Sequence, residues 1–218
     1  MNTRTTVILV GFFGFMSACA PQPTIPIDLP KTNFDGLEEI RSEYFSAAFI
    51  RPGVNFSHYR ELLLGDSELA FRTPDRSKQQ FPLTAEQKTR FRQLLDAQFA
   101  KELASSNTLQ ITSSAGPHAL KLEVRVQDIV AMVPPRSVSG VGDIALHALA
   151  EATLVIEISD SESEEVLARV FDRRVIEGTA IAQRQGPPVT HWQEVEAVCG
   201  RWASTVRARL DVVVSGNY

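Results

Sequence analysis

Apolar and polar positions alternate along much of this chain, and the alternation predicts most of its elements. Between residues 120 and 127, Leu120, Leu122, Val124 and Val126 interleave with Lys121, Glu123, Arg125 and Gln127. Period two with charges between predicts a strand with one face on a core and the other in water. After the break at Pro134-Pro135, the even positions Ile144, Leu146, Ala148, Ala150, Ala152, Leu154, Ile156 and Ile158 are all apolar. That run predicts a long strand starting at 144. The polar tip Asp160-Ser161-Glu162-Ser163-Glu164-Glu165 then leads into 166–176, most simply as the returning arm of a hairpin. Further upstream, 44–50 reads as a short strand closed by the turn Arg51-Pro52-Gly53, and 61–72 as another, interrupted at Gly65-Asp66.

Two segments change period. Thr84-Ala85-Glu86-Gln87 fits a capping box, in which the threonine hydroxyl accepts from an orphan amide and the glutamine reaches back. Beyond it Phe91, Leu94, Leu95, Phe99 and Leu103 recur at spacings of three and four, the stripe of a core-facing helix. Thr190-His191-Trp192-Gln193 repeats the signal, followed by Val195, Cys199, Trp202, Val206 and Leu210. Two amphipathic helices among strands predict an α+β fold: a mainly antiparallel sheet of sequential hairpins, with both helices packed on one face. A single domain is expected over 41–218.

The N-terminus obeys different rules. Residues 2–6 carry one arginine and no acid, 7–16 are apolar, and Ser17-Ala18 precede Cys19. Ten residues rise only about 15 Å as a helix, roughly half a bilayer core, so this is a cleavable leader rather than a span. The segment Phe15-Met16-Ser17-Ala18-Cys19 resembles the lipobox of bacterial lipoproteins. That resemblance implies a signal peptide over 1–18, cut before Cys19, and acyl chains on the Cys19 thiol. Each buried methylene contributes about 0.8 kcal/mol, so two or three chains hold a protein on a membrane almost irreversibly. In Gram-negative lipoproteins, Ala20 rather than Asp after the cysteine implies an outer-membrane address, with the body facing the periplasm.

Residues 19–40 are expected to form a tether: Pro21, Pro23, Pro26 and Pro30 remove backbone donors and favour extended geometry. Fifteen such residues reach about 45 Å. Composition narrows the partners. The chain is 44% apolar and 22% charged with a net charge of −4, and losing Arg4 with the leader takes it to −5. A mildly acidic body argues against nucleic acid. Of the two cysteines, lipidation of Cys19 leaves only Cys199, so no internal disulfide is expected.

These elements, taken together, resemble the uncharacterised bacterial lipoproteins grouped under the domain-of-unknown-function number three-three-one-three. The resemblance rests on Phe49-Ile50-Arg51-Pro52-Gly53 running into Phe56-Ser57-His58-Tyr59-Arg60, on the helix from Phe91 to Leu103, on Val166-Leu167-Ala168, and on Trp202-Ala203. This chain has Gly65-Asp66-Ser67 where the family tends to have Asp-Pro-Val, and Ser163-Glu164 where it tends to have a turn glycine. The resemblance implies an outer-membrane lipoprotein without an assigned activity.

Chemistry is thinly signalled. Gly140-Val141-Gly142-Asp143-Ile144-Ala145 imitates a dinucleotide-binding turn, with Asp160 about twenty residues on, but that turn must open a helix, and the alternation from Ile144 predicts a strand. The acidic tip Asp160, Glu162, Glu164 and Glu165 spaces carboxylates two apart as calcium loops do, yet lacks their glycine and late bidentate glutamate. A solvated hairpin end is the simpler reading. His58, His118, His147 and His191 are scattered and match no metal-ligand spacing. Cys199, Trp192 and Trp202 read as core residues, and Tyr59 with His58 as packing next to a turn. No G-x-S-x-G elbow occurs. No catalytic residue, cofactor or metal is therefore expected. A noncatalytic envelope accessory or assembly component, tethered through Cys19 and with an envelope protein as partner, is the leading expectation. A small-molecule or lipid-binding module with its pocket behind loop 134–143 is the alternative, and an enzyme ranks last.

Overall fold

The computed structural model describes residues 35–73, 83–131, 149–175 and 192–216. Among the described residues eight strands and two helices follow in the order β1 (Glu38–Ile40), β2 (Ala47–Ile50), β3 (Glu61–Leu64), β4 (Glu68–Phe71), α1 (Ala85–Leu103), β5 (Gln110–Thr112), β6 (Ala119–Ala131), β7 (Leu149–Asp160), β8 (Val166–Val175) and α2 (Trp192–Val214), with a 3-10 turn at Phe56–His58. All strands join one mixed sheet, ordered β1-β2-β8-β7-β6-β3-β5, with β4 following β3 along the same edge of β6.

The hairpins form as the alternation implies. β6 runs antiparallel to β7 and β7 to β8, and in β7 the even residues Ala152, Leu154, Ile156 and Ile158 are buried. Those four share one core with Phe91, Leu95, Phe99 and Leu103 of α1 and with Val195, Cys199, Trp202, Val206 and Leu210 of α2. The sheet's other face carries a small second cluster, Leu37, Phe49, Val155 and Phe171, in which the Phe49 and Phe171 rings meet edge-on at 6.0 Å.

Two expectations need correction. The sheet is mostly antiparallel but not built of sequential hairpins: β3 and β4 both run parallel to β6, and β5 runs parallel to β3. The reason lies in α1, which separates β4 from β6 and supplies the long crossover that a parallel pair requires. The tether boundary at residue 40 also falls too late. β1 pairs with β2 (Glu39 opposite Phe49, Ile40 opposite Ala48), and Leu37 is 1% exposed, so packing begins before residue 41.

The capping box of α1 is complete. The Thr84 hydroxyl accepts from the Gln87 amide at 3.2 Å, and the Thr84 amide donates to the Gln87 side chain at 2.8 Å. The matching signal at 190–193 begins outside the described residues, as do the leader, Cys19, residues 144–148 of the long alternation, and the glycine motif at 140–145. Among the described residues no helix is long and apolar enough to cross a membrane.

Candidate functional site

At one end of the sheet, residues that sequence reading treats separately come together. The chain leaves the turn after β2 through the 3-10 turn, where Asn55 caps by accepting from the Ser57 amide. This delivers Tyr59 into the core at 3% exposure, with its ring beside Phe56. Its hydroxyl donates to Asp160 Oδ2 at 2.9 Å, across 101 residues of chain. The other oxygen of Asp160 accepts from the Glu162 and Ser163 amides and from the Ser163 hydroxyl. One carboxylate thus pins the β7–β8 turn to the loop before β3.

Electrostatics follow from this geometry. Partial burial alone would raise the Asp160 pKa, but the Ser163 amide, the Tyr59 hydroxyl and the other donors outweigh it, so the carboxyl lies below its usual value. Burial pushes the Tyr59 hydroxyl well above the usual tyrosine range, and the facing Asp160 charge pushes it further. A phenol held protonated and bonded to an ionised carboxylate is a structural clamp rather than a base. His58 lies against Tyr59 with ring centres 4.0 Å apart, and His118 stands 6.5 Å from His58. Both histidines are exposed.

The acidic tip is divided by role. Asp160 is the clamp, Glu165 pairs with Arg51 at 3.2 Å, and Glu162 and Glu164 are exposed. Arg51 ties the same corner further: its Nε donates to the Val166 carbonyl at 2.8 Å and its Nη2 to the Asp35 carbonyl at 2.9 Å. Among the described residues no group of three or more histidine, cysteine or acidic side chains is arranged to hold a metal ion. His147 and His191 lie outside the described residues. Cys199 is fully buried, and desolvation pushes its thiol up to about 12. At neutral pH it is an un-ionised core side chain, not a nucleophile.

Three features escaped the sequence reading. Asp172, at 1% exposure, occupies a core-facing position of β8 opposite Leu154. Its Oδ2 accepts from Trp202 Nε1 at 2.9 Å and from Arg174 Nε at 2.7 Å, so it fastens α2 to the sheet. An acid in phase with Val170 and Ala168 was the available signal. A similar tie holds the loop after α1: Asp211 of α2 accepts from the hydroxyls of Ser106 and Thr108, which, although burial opposes it, leaves the carboxyl below its usual value.

The third is a groove of about 340 Å³ on the face carrying the smaller cluster, with Val155 and Phe171 on its floor. Its charged lining includes Asp66, Glu68, Glu123, Arg125, Glu157 and Arg169. Arg125 bonds Glu68 at 2.7 Å, and Arg169 bonds both Glu157 and Asp35. The charges of one strand are thus answered by the next, which long-range pairing alone creates.

Similarity to solved structures is remote. A PelC dodecamer from Paraburkholderia phytofirmans aligns at 11% identity and a TM-score of 0.35, covering 75% of this chain and 94% of that one. A Xanthomonas campestris protein of family DUF330 aligns at 14% identity and a TM-score of 0.39, covering 77% and 91%. A putative neuraminyllactose-binding hemagglutinin homolog from Helicobacter pylori gives 11% and 0.34, covering 75% and 87%. No curated protein matches the chain. A family model does, over residues 31–206, and the chain belongs to that family, the proteins of unknown function DUF3313.

Proposed function

We propose that this chain is an exported lipoprotein, cleaved before Cys19, acylated there and held on the periplasmic side of the outer membrane. Its body serves as a noncatalytic accessory or assembly component of the envelope. What supports the noncatalytic reading is that two groups capable of chemistry among the described residues serve the fold. The Tyr59 hydroxyl is committed to Asp160, and Cys199 is sealed in the core. The reading also takes both helices to lie on one sheet face, which is supported by the core that α1, α2 and the even positions of β7 share.

The groove is the surface such a component would offer to a partner protein, because its paired charges present a fixed polar pattern around a small apolar floor. Reversing one exposed member, Arg125→Glu, is expected to leave folding intact while abolishing a cross-link to an envelope protein in whole cells. Turnover of a periplasmic substrate by the purified lipid-free body, lost in one point variant that still folds, would overturn the noncatalytic reading.

The same groove favours a second reading, a small-molecule or lipid-binding module, since its volume falls at the lower end for ligand sites. Loop 134–143, behind which a pocket is expected from the sequence, lies outside the described residues. Native mass spectrometry separates the two: a stoichiometric co-purifying ligand lost in Phe171→Ala supports the module.

A further inference from the structure

Among the described residues three large hydrophobic side chains stand well out of the core: Ile40 and Tyr44, each 45% exposed, and Ile111, 43% exposed. Strand order separates them, because β1 and β5 are the opposite ends of the sheet. Ile40 and Tyr44 share a side. Ile40 pairs with Ala48, Ala48 with Val170, and Val170 packs against the core containing both helices, so alternation places Ile40 on the α2 side of the sheet. Arg209 of α2 lies over the Tyr44 ring, its guanidinium carbon 3.8 Å from the centroid.

An exposed isoleucine on the same side as a ring capped by a guanidinium suits a membrane interface, where apolar bodies enter the acyl boundary and polar tips stay among headgroups. Position along the chain favours the same occupant. Ile40 lies 21 residues after Cys19, near where the tether meets the body. A link of that length to the lipid would confine this surface to roughly millimolar effective concentration over the leaflet. Weak contact then suffices for docking. The local charges are Glu38, Glu39 and Glu43 against Arg41 and Arg209, a net −1 that gives no attraction to anionic lipid.

We propose that Ile40, Tyr44 and Arg209 rest on the leaflet that holds Cys19, so that the body lies against the headgroups instead of hanging at the end of its tether. This rests on the lipoprotein reading above. The test is neutron reflectometry of the full mature chain, purified from membranes and reconstituted in supported bilayers of phosphatidylethanolamine, with or without phosphatidylglycerol. The expected result is a body with no resolvable water layer beneath it, unaffected by phosphatidylglycerol or salt. In Ile40→Ser, and further in Ile40→Ser/Tyr44→Ser, a gap of tens of ångströms is expected, while Ile111→Ser at the far edge leaves the profile unchanged.

All these side chains are exposed, and thermal melts check that each variant folds. Equal gaps in the unmodified protein and the double variant, with the protein retained on the bilayer, would overturn the docking proposal and spare the anchor. Purified chain without acyl groups that never reaches the bilayer would overturn both.

Discussion

Glu164 adopts a φ of +57°, the left-handed conformation, where the β7–β8 turn closes with its amide bonded to the Asp160 carbonyl at 3.0 Å. A side chain there crowds the backbone, and glycine does not. Glu164→Gly is expected to raise unfolding free energy by about 0.5–1 kcal/mol, the relief of strain exceeding the added chain entropy; a loss in urea melts would contradict this. Nearby, Tyr59→Phe removes a hydrogen bond to an ionised carboxylate and is expected to cost about 1–2 kcal/mol at pH 7. Because the folded Asp160 pKa lies below its unfolded value, the stability it contributes is present above the ordinary carboxylate range and lost as pH falls below about 4. Urea melts at pH 7 and pH 3 should therefore show a smaller penalty for Tyr59→Phe in acid. Sequence reading singled out Tyr59 and Asp160 but not their contact, since nothing local links residues 101 positions apart.

Elements were legible where their signals are local. The Thr84 and Gln87 box specifies the start of α1, and both of its bonds form. Thr84→Ala is expected to cost about 1 kcal/mol, read as a lower melting temperature with unchanged folded helix content; an unchanged melting temperature would show that the box contributes nothing. The interrupted stretch 61–72 resolves into β3 and β4 on either side of Gly65-Asp66. Its pairing was not legible, because parallel partners are chosen by a crossover rather than by a turn. β1 escaped because three residues beginning Glu38-Glu39 carry no alternation. Its registration against β2 comes from the sheet edge it completes.

At the scale of the molecule, two polar ties, Asp172 with Trp202 and Asp211 with Ser106 and Thr108, supplement the apolar core that joins helices to sheet. Such ties fix orientation more than they add stability, since a buried carboxylate loses its hydration. The body is thus organised to hold a shape, and in the proposed account its work depends on where the lipid puts it. That address rests on residues 15–19, which no packing argument reaches. Intact-mass spectrometry of the protein extracted from membranes tests it most directly. The account predicts a chain beginning at Cys19 and heavier than its sequence by two or three acyl chains and a glycerol. A mature chain of unmodified mass, or one still beginning at Met1, would contradict it.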